Sequence, residues 1–133
     1  MKLTFTLLLL NIFVCAKAQH ETVAASVLLE QILNDNDLTN NMVRIETLTF
    51  PPGYSSVKHT HPCPLFVYIV EGELLSEFEG VMKTYKVGDV FYEKANGVHS
   101  VTKNNSSKNQ AKILVIYLMK EGQETFLPFT LEK

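Results

Sequence analysis

An all-β domain, closed into a barrel or folded as a sandwich, is what this 133-residue chain predicts. Three observations carry that expectation. From residue 42 onward, short runs rich in Val, Ile, Thr, Tyr and Phe replace one another at regular intervals. Each run is closed by residues that tolerate positive φ or by prolines that cannot continue a ladder. The spacing is even along the chain, as it is in small barrels and sandwiches. The length suits one domain and is short for two.

The chain opens with Lys2, an apolar run over residues 3–14 and then Ala16-Lys17-Ala18. A basic start, a short apolar stretch and an Ala-x-Ala site together read as a secretory signal peptide over residues 1–18, cut before Gln19. Its apolar run falls short of the ~20 residues of a membrane span. Although Cys15 invites a lipoprotein reading, Val14 stands where such signals carry a small residue. The expected location is therefore exported, periplasmic or secreted. Cleavage removes Lys2 and Lys17 and moves the formal charge from -2 to -4. A mildly acidic domain gives no electrostatic footprint for nucleic acid, nor for an anionic membrane once the signal is gone. Only Cys63 remains of the two cysteines, so the exported chain has no internal disulfide and depends on its apolar core.

Residues 19–41 form an N-terminal segment expected to pack on the barrel. Within it, residues 23–33 are apolar without a clean period, as a helix or a buried strand would be. The barrel itself is expected over residues 42–133, with strands at 42–50, 55–60, 65–70, 74–78, 82–87, 90–93, 98–103 and 112–119. Between them stand Pro51-Pro52-Gly53, Pro62-Cys63-Pro64, Glu71-Gly72, Glu79-Gly80, Gly88-Asp89, Asn96-Gly97 and a polar stretch from Asn104 to Gln110. Residues 103–109 read as a surface loop. The runs at 65–70 and 113–118 are apolar on both faces, so something must cover the outer face of those strands. The N-terminal segment, a second subunit, or both are the candidates, and a homodimer is expected.

Three of the four histidines carry the chemistry. His59 and His61 lie one residue apart, and a strand's side-chain period of two puts both on one side. His99 follows some forty residues later, and His20 stands apart near the N-terminus. Neutral imidazole is the commonest protein ligand for zinc, iron, nickel and copper, so a convergent trio reads as a site for a divalent transition metal, with manganese a further choice. Among the remaining residues, Cys63 lies between two prolines and reads as an inert loop residue rather than a soft ligand. Tyr68, Phe78, Phe91 and Tyr92 read as core or pocket wall. Arg44, the only arginine, is expected on an exposed strand face; facing inward it would anchor a carboxylate.

With these residues in place the chain resembles the cupin superfamily, whose small double-stranded β-helix barrels, of jelly-roll type, carry two short motifs. The first runs Gly, five residues, His-x-His, three or four residues, Glu, six residues, Gly. Gly53, His59, His61 and Gly72 fall on it. The second runs Gly, five residues, Pro-x-Gly, two residues, His, three residues, Asn, and is met by Gly88 and His99. The departures are specific. Leu65 stands where the resemblance implies a metal-binding glutamate, Lys94 replaces the proline, Asn96 replaces a glycine, and Asn104 falls one residue late. Asn is well suited to left-handed backbone, so Asn96 is a mild change. Leu65 cannot bind a metal. Glu93 ends the strand at 90–93, at a position usually apolar in cupins, and is the candidate for the missing carboxylate, on the metal or as a general base.

The resemblance implies a metal held by His59, His61 and His99, with Glu93 as the candidate catalytic residue. Three imidazoles leave coordination positions open, and three-histidine cupins include iron-dependent dioxygenases of thiols and diketones. The leading expectation is an oxygenase-like, metal-dependent enzyme acting on a small organic molecule. The alternatives are a non-catalytic module that holds a small ligand or metal, and an isomerase or lyase of sugars.

Overall fold

The computed structural model describes residues 22–33 and 40–129. The segment read as a signal peptide, residues 1–18, lies outside the described residues, as does His20. The chain is all-β. Its strands are β1 (Ala24–Leu33), β2 (Asn41–Phe50), β3 (His59–Thr60), β4 (Leu65–Glu71), β5 (Glu73–Phe78), β6 (Val81–Lys86), β7 (Val90–Glu93), β8 (Val98–Lys103), β9 (Ala111–Lys120) and β10 (Leu127–Pro128). They form two five-stranded antiparallel sheets, ordered β1-β2-β9-β4-β7 and β10-β3-β8-β5-β6. Facing sheets of this kind make a jelly-roll-like double-stranded β-helix, with the core between them.

Strand alternation decides what enters that core. In β4, Leu65, Val67 and Ile69 are buried while Phe66, Tyr68 and Val70 are exposed. In β9, Ala111, Ile113, Val115, Tyr117 and Met119 are buried, and each faces the same interior as Met42 and Phe50 of β2. Fully burying a side chain of this size is worth about 1.5–3 kcal/mol. The two runs that read as apolar on both faces thus bury one face only. Their outer face, with Phe66, Tyr68, Val70, Tyr92 and Leu118, is uncovered among the described residues. Tyr68 and Tyr92 accordingly belong neither to the core nor to a pocket wall.

The N-terminal segment differs from both forms expected of it. Residues 24–33 are neither helix nor buried strand, but an edge strand that extends the first sheet beside β2. Val27, Leu28, Leu29 and Ile32 are exposed there, and among the segment's described residues Val23 packs against the core. β1 therefore lengthens the sheet without covering its face. Two strands are shorter or newer than expected: the run at 55–60 keeps only β3 and an isolated bridge at Ser55, and β10 adds a strand beside β3.

Two turn positions explain themselves. Gly72, between β4 and β5, has φ +70, and a Cβ there would lie 2.8 Å from the Gln110 backbone oxygen, so both conformation and space demand glycine. Asn96 has φ 59, the left-handed conformation that asparagine tolerates. Nearby, Asn104 is buried inside the stretch read as a surface loop. Its Nδ2 donates to the carbonyls of Phe50, Pro51 and Asn109, and its Oδ1 accepts from Ser106 N, which pins the loop to the end of β2.

Candidate metal centre

The centre is assembled from both sheets. β3 and β8 pair so that His59 and His99 are direct partners, and their rings stack with centroids 4.8 Å apart. His61 follows β3 and meets both rings edge-on, at 5.0 Å from His59 and 5.6 Å from His99. The opposite sheet supplies the carboxylate. Glu93 ends β7, where its partner across the ladder is Leu65 of β4. Its Oε1 lies 2.8 Å from His99 Nε2 and its Oε2 lies 3.8 Å from His61 Nε2. The structure thus brings together His59, His61, His99 and Glu93, and it buries His59, His99 and Glu93 to within 5 % of full burial.

Each imidazole is oriented through its other nitrogen. His59 Nδ1–H donates to the Val57 carbonyl at 2.8 Å, and His61 Nδ1–H donates to the Thr125 carbonyl. A carbonyl only accepts, so the proton sits on Nδ1 and the Nε2 lone pair is free to face the centre. His99 Nδ1 lies 3.3 Å from Thr102 Oγ1. Burial lowers the His59 pKa from 6.5 to about 4, and the neighbouring imidazoles push the same way against the Val57 carbonyl and Glu93. Burial lowers that of His61 as well. Both rings are therefore neutral at neutral pH, the state in which imidazole ligates.

The donor set fits a divalent transition metal. One ligating nitrogen from each of His59, His61 and His99 lies within 4.8 Å of the others. Modest ring movement brings such atoms to the ~2.0–2.1 Å that an imidazole nitrogen keeps from zinc. His99 Nε2 is buried and, despite the nearby Glu93 oxygen, has no aligned hydrogen bond among the described residues. A buried imidazole nitrogen set beside a carboxylate oxygen without an aligned hydrogen bond is a pair that a shared cation would satisfy. His59, His61 and His99 are therefore positioned to chelate a divalent transition metal.

Several further residues surround the trio. Glu46 of β2 is buried, accepts from Arg44 Nε at 3.1 Å and lies beside Tyr117. Burial first, then Glu46, raises the Tyr117 pKa, so the phenol stays protonated. Arg44, expected on an exposed strand face, is instead half-buried on the parity of Met42 and Phe50, and its guanidinium is held by Glu46 and by Glu30 at 2.9 Å. Phe126 stacks on His59 with centroids 4.7 Å apart, and Gln123 Nε2 donates to the Pro62 carbonyl, so residues 123–128 form a strap over the centre. Cys63 is free and buried, and burial raises its pKa, as an inert thiol requires. Strand parity in β2 puts Glu46 on the face of Met42 and Phe50, a cue the sequence does carry; nothing marks Thr125 or Phe126.

The centre opens into a cavity of about 300 Å³ between the sheets. Leu48, Phe50, Val67, Leu74, Phe91 and Ile113 supply its apolar wall, and Ser76, Thr102 and Tyr117 its polar one. No lysine or arginine lines it among the described residues.

Two sheets closed around an imidazole trio define a metal-binding β-helix barrel. The chain belongs to the cupin domain family, whose profile matches residues 46–117. Among solved structures it is similar to a cupin superfamily protein from Desulfitobacterium hafniense, with 19% identity, a TM-score of 0.60, and coverage of 78% of this chain and 84% of that one. KdgF from Halomonas sp. gives 14% identity, a TM-score of 0.60, and coverage of 75% and 81%. The DMSP lyase DddQ from Ruegeria pomeroyi gives 16% identity and a TM-score of 0.60 over 80% of this chain, which spans 51% of that one. Likenesses at these identities carry the fold. No curated protein matches the chain.

Proposed function

We propose that this chain is an exported, metal-dependent cupin enzyme that performs oxygenase-type chemistry on a small organic molecule. The observation that carries the proposal is the joining of an open three-histidine centre to a mostly apolar, half-open cavity. A redox-active divalent metal held by His59, His61 and His99 supplies activation of dioxygen and substrate. The chain supplies the rest. The Val57 and Thr125 carbonyls hold two rings in the ligating tautomer, the apolar wall excludes water, and Phe126 narrows the entrance over His59.

Glu93 takes the part of the carboxylate that the first cupin motif would carry at Leu65. The support is register: Leu65 and Glu93 face one another across the β4–β7 ladder, so the carboxylate reaches the centre from the neighbouring strand. There it completes the donor set or holds a proton taken from substrate. A lyase is the second reading, favoured by the protonated Tyr117 beside Glu46 and by the fold's likeness to a DMSP lyase. The exposed apolar face of β4, β7 and β9 supports a homodimer, and residues 1–18 support export.

Metal analysis of protein purified without added metal, followed by titration, tests the centre. Uptake of about one equivalent is expected, lost when both His59 and His61 become alanine while the domain stays folded; less than about a tenth of an equivalent overturns the proposal. With iron(II) loaded, oxygen uptake in the presence of small diketones or thiols separates the readings. Metal retention with no turnover on any of them favours a binding module, and turnover without oxygen uptake favours the lyase.

A further inference from the structure

Two buried side-chain polar atoms lack a hydrogen-bond partner among the described residues, His99 Nε2 and Ser76 Oγ, and both residues line the same cavity. The metal accounts for the first. Nothing among the described residues accounts for the second. Ser76 lies in β5 with 3 % of its surface exposed. Its neighbour across the ladder, Thr102, turns its hydroxyl towards His99 Nδ1. Leaving a buried hydroxyl unpaired is unfavourable, so a polar group that enters the cavity beside Ser76 gains a hydrogen bond there.

We propose that Ser76 is the second anchor of the substrate, and that the substrate is a small, predominantly apolar molecule carrying one uncharged hydrogen-bonding group, a carbonyl or hydroxyl, which meets Ser76 Oγ. This rests on the cavity being the substrate site of the function proposed above. The size follows from about 300 Å³, the lower end of ligand pockets and room for about ten water-sized groups. The lack of charge follows from the lining. It holds no lysine or arginine among the described residues, while Glu46 and Glu93 face the same space. Arg44 is already engaged by Glu46 and Glu30. An anionic group away from the metal would be buried unpaired beside carboxylates.

The test uses the full chain, metal-free and zinc-loaded, with three probes followed by amide chemical-shift titration. They are cyclohexanone, its hydrocarbon isostere methylenecyclohexane, and cyclohexanecarboxylate. Cyclohexanone is expected to bind both forms and to shift the amides of β5. Ser76→Ala should weaken it by roughly threefold to tenfold while leaving methylenecyclohexane within about twofold. The carboxylate should bind the zinc-loaded form alone and ignore the substitution. Because Ser76→Ala removes an unpaired hydroxyl, the metal-free variant should melt no lower than the wild type, and Ser76→Thr should keep the affinity for cyclohexanone.

Equal effects of Ser76→Ala on the ketone and the hydrocarbon overturn the proposal. So does an absence of cyclohexanone binding, carboxylate binding without metal, or a destabilised alanine variant, which would reveal an internal partner. Failure of zinc to bind would instead remove the metal-dependent function, leaving the metal-free comparison of ketone and hydrocarbon readable.

Discussion

Glu93 holds a buried carboxylate against two imidazoles with no aligned hydrogen bond to His99, so its metal-free and metal-loaded states pull in opposite directions. Glu93→Gln should lower metal affinity by about tenfold or more, measured by competition with a chelator. The same change should leave the metal-free barrel as stable as before or more so in urea, because the amide fills the same space and costs less to bury than a carboxylate. A second residue-scale expectation concerns pH. With the His59 pKa at about 4 when folded against 6.5 when unfolded, the unfolded chain binds a proton that the folded one refuses. Metal-free protein should hold its stability above pH 6.5, lose it as the pH falls towards 4, and gain no further loss from this residue below that. His61 acts in the same direction. Urea midpoints across that range check it, and His59→Gln should flatten part of the slope. The trio was legible in the sequence because a period of two and motif spacing are local properties. Glu93 was legible as a charge in an apolar slot. Ser76 was not, since a serine between Leu74 and Phe78 looks the same whether its hydroxyl is paired or orphaned.

At the scale of elements, the turn between β7 and β8 supports the centre through contact rather than through ligands. A Cβ on Gly97 would lie 2.2 Å from Phe78 Cζ, and the Phe78 ring packs on His99 with centroids 4.9 Å apart. Gly97→Ala should therefore swing that ring, destabilise the domain by about 1–3 kcal/mol, and loosen metal binding along with it. Denaturation with and without metal measures both. The strands from β2 to β9 were legible within a residue or two, apart from the shortened β3, because alternation and turn chemistry agree there. β1 was ambiguous because an edge strand exposed on both faces has no period to read. β10 was invisible. Two residues paired with β3 carry no pattern of their own and are fixed by the site they cross.

At the scale of the whole molecule, one sheet face is bare among the described residues. Phe66 and Tyr92 are cross-strand partners on it, with ring centroids 5.4 Å apart and both exposed. A dimer through this face should be broken by Phe66→Lys, read as a halving of mass in light scattering while metal uptake is kept; a wild-type monomer at ~0.1 mM would refute it. The metal, binding the folded state alone, should add about 2.7 kcal/mol at a hundred times its dissociation constant. The hydrogen bond from His61 to Thr125 spans 64 residues, and it sets an order in time. At the ~5–20 residues per second of synthesis, His59 and His61 emerge several seconds before the carbonyl that fixes the His61 tautomer. A nascent chain thus displays its imidazoles before it can aim them. Correct loading belongs to the finished barrel, after the strap has closed, and a metal captured earlier would meet ligands not yet told which nitrogen to offer.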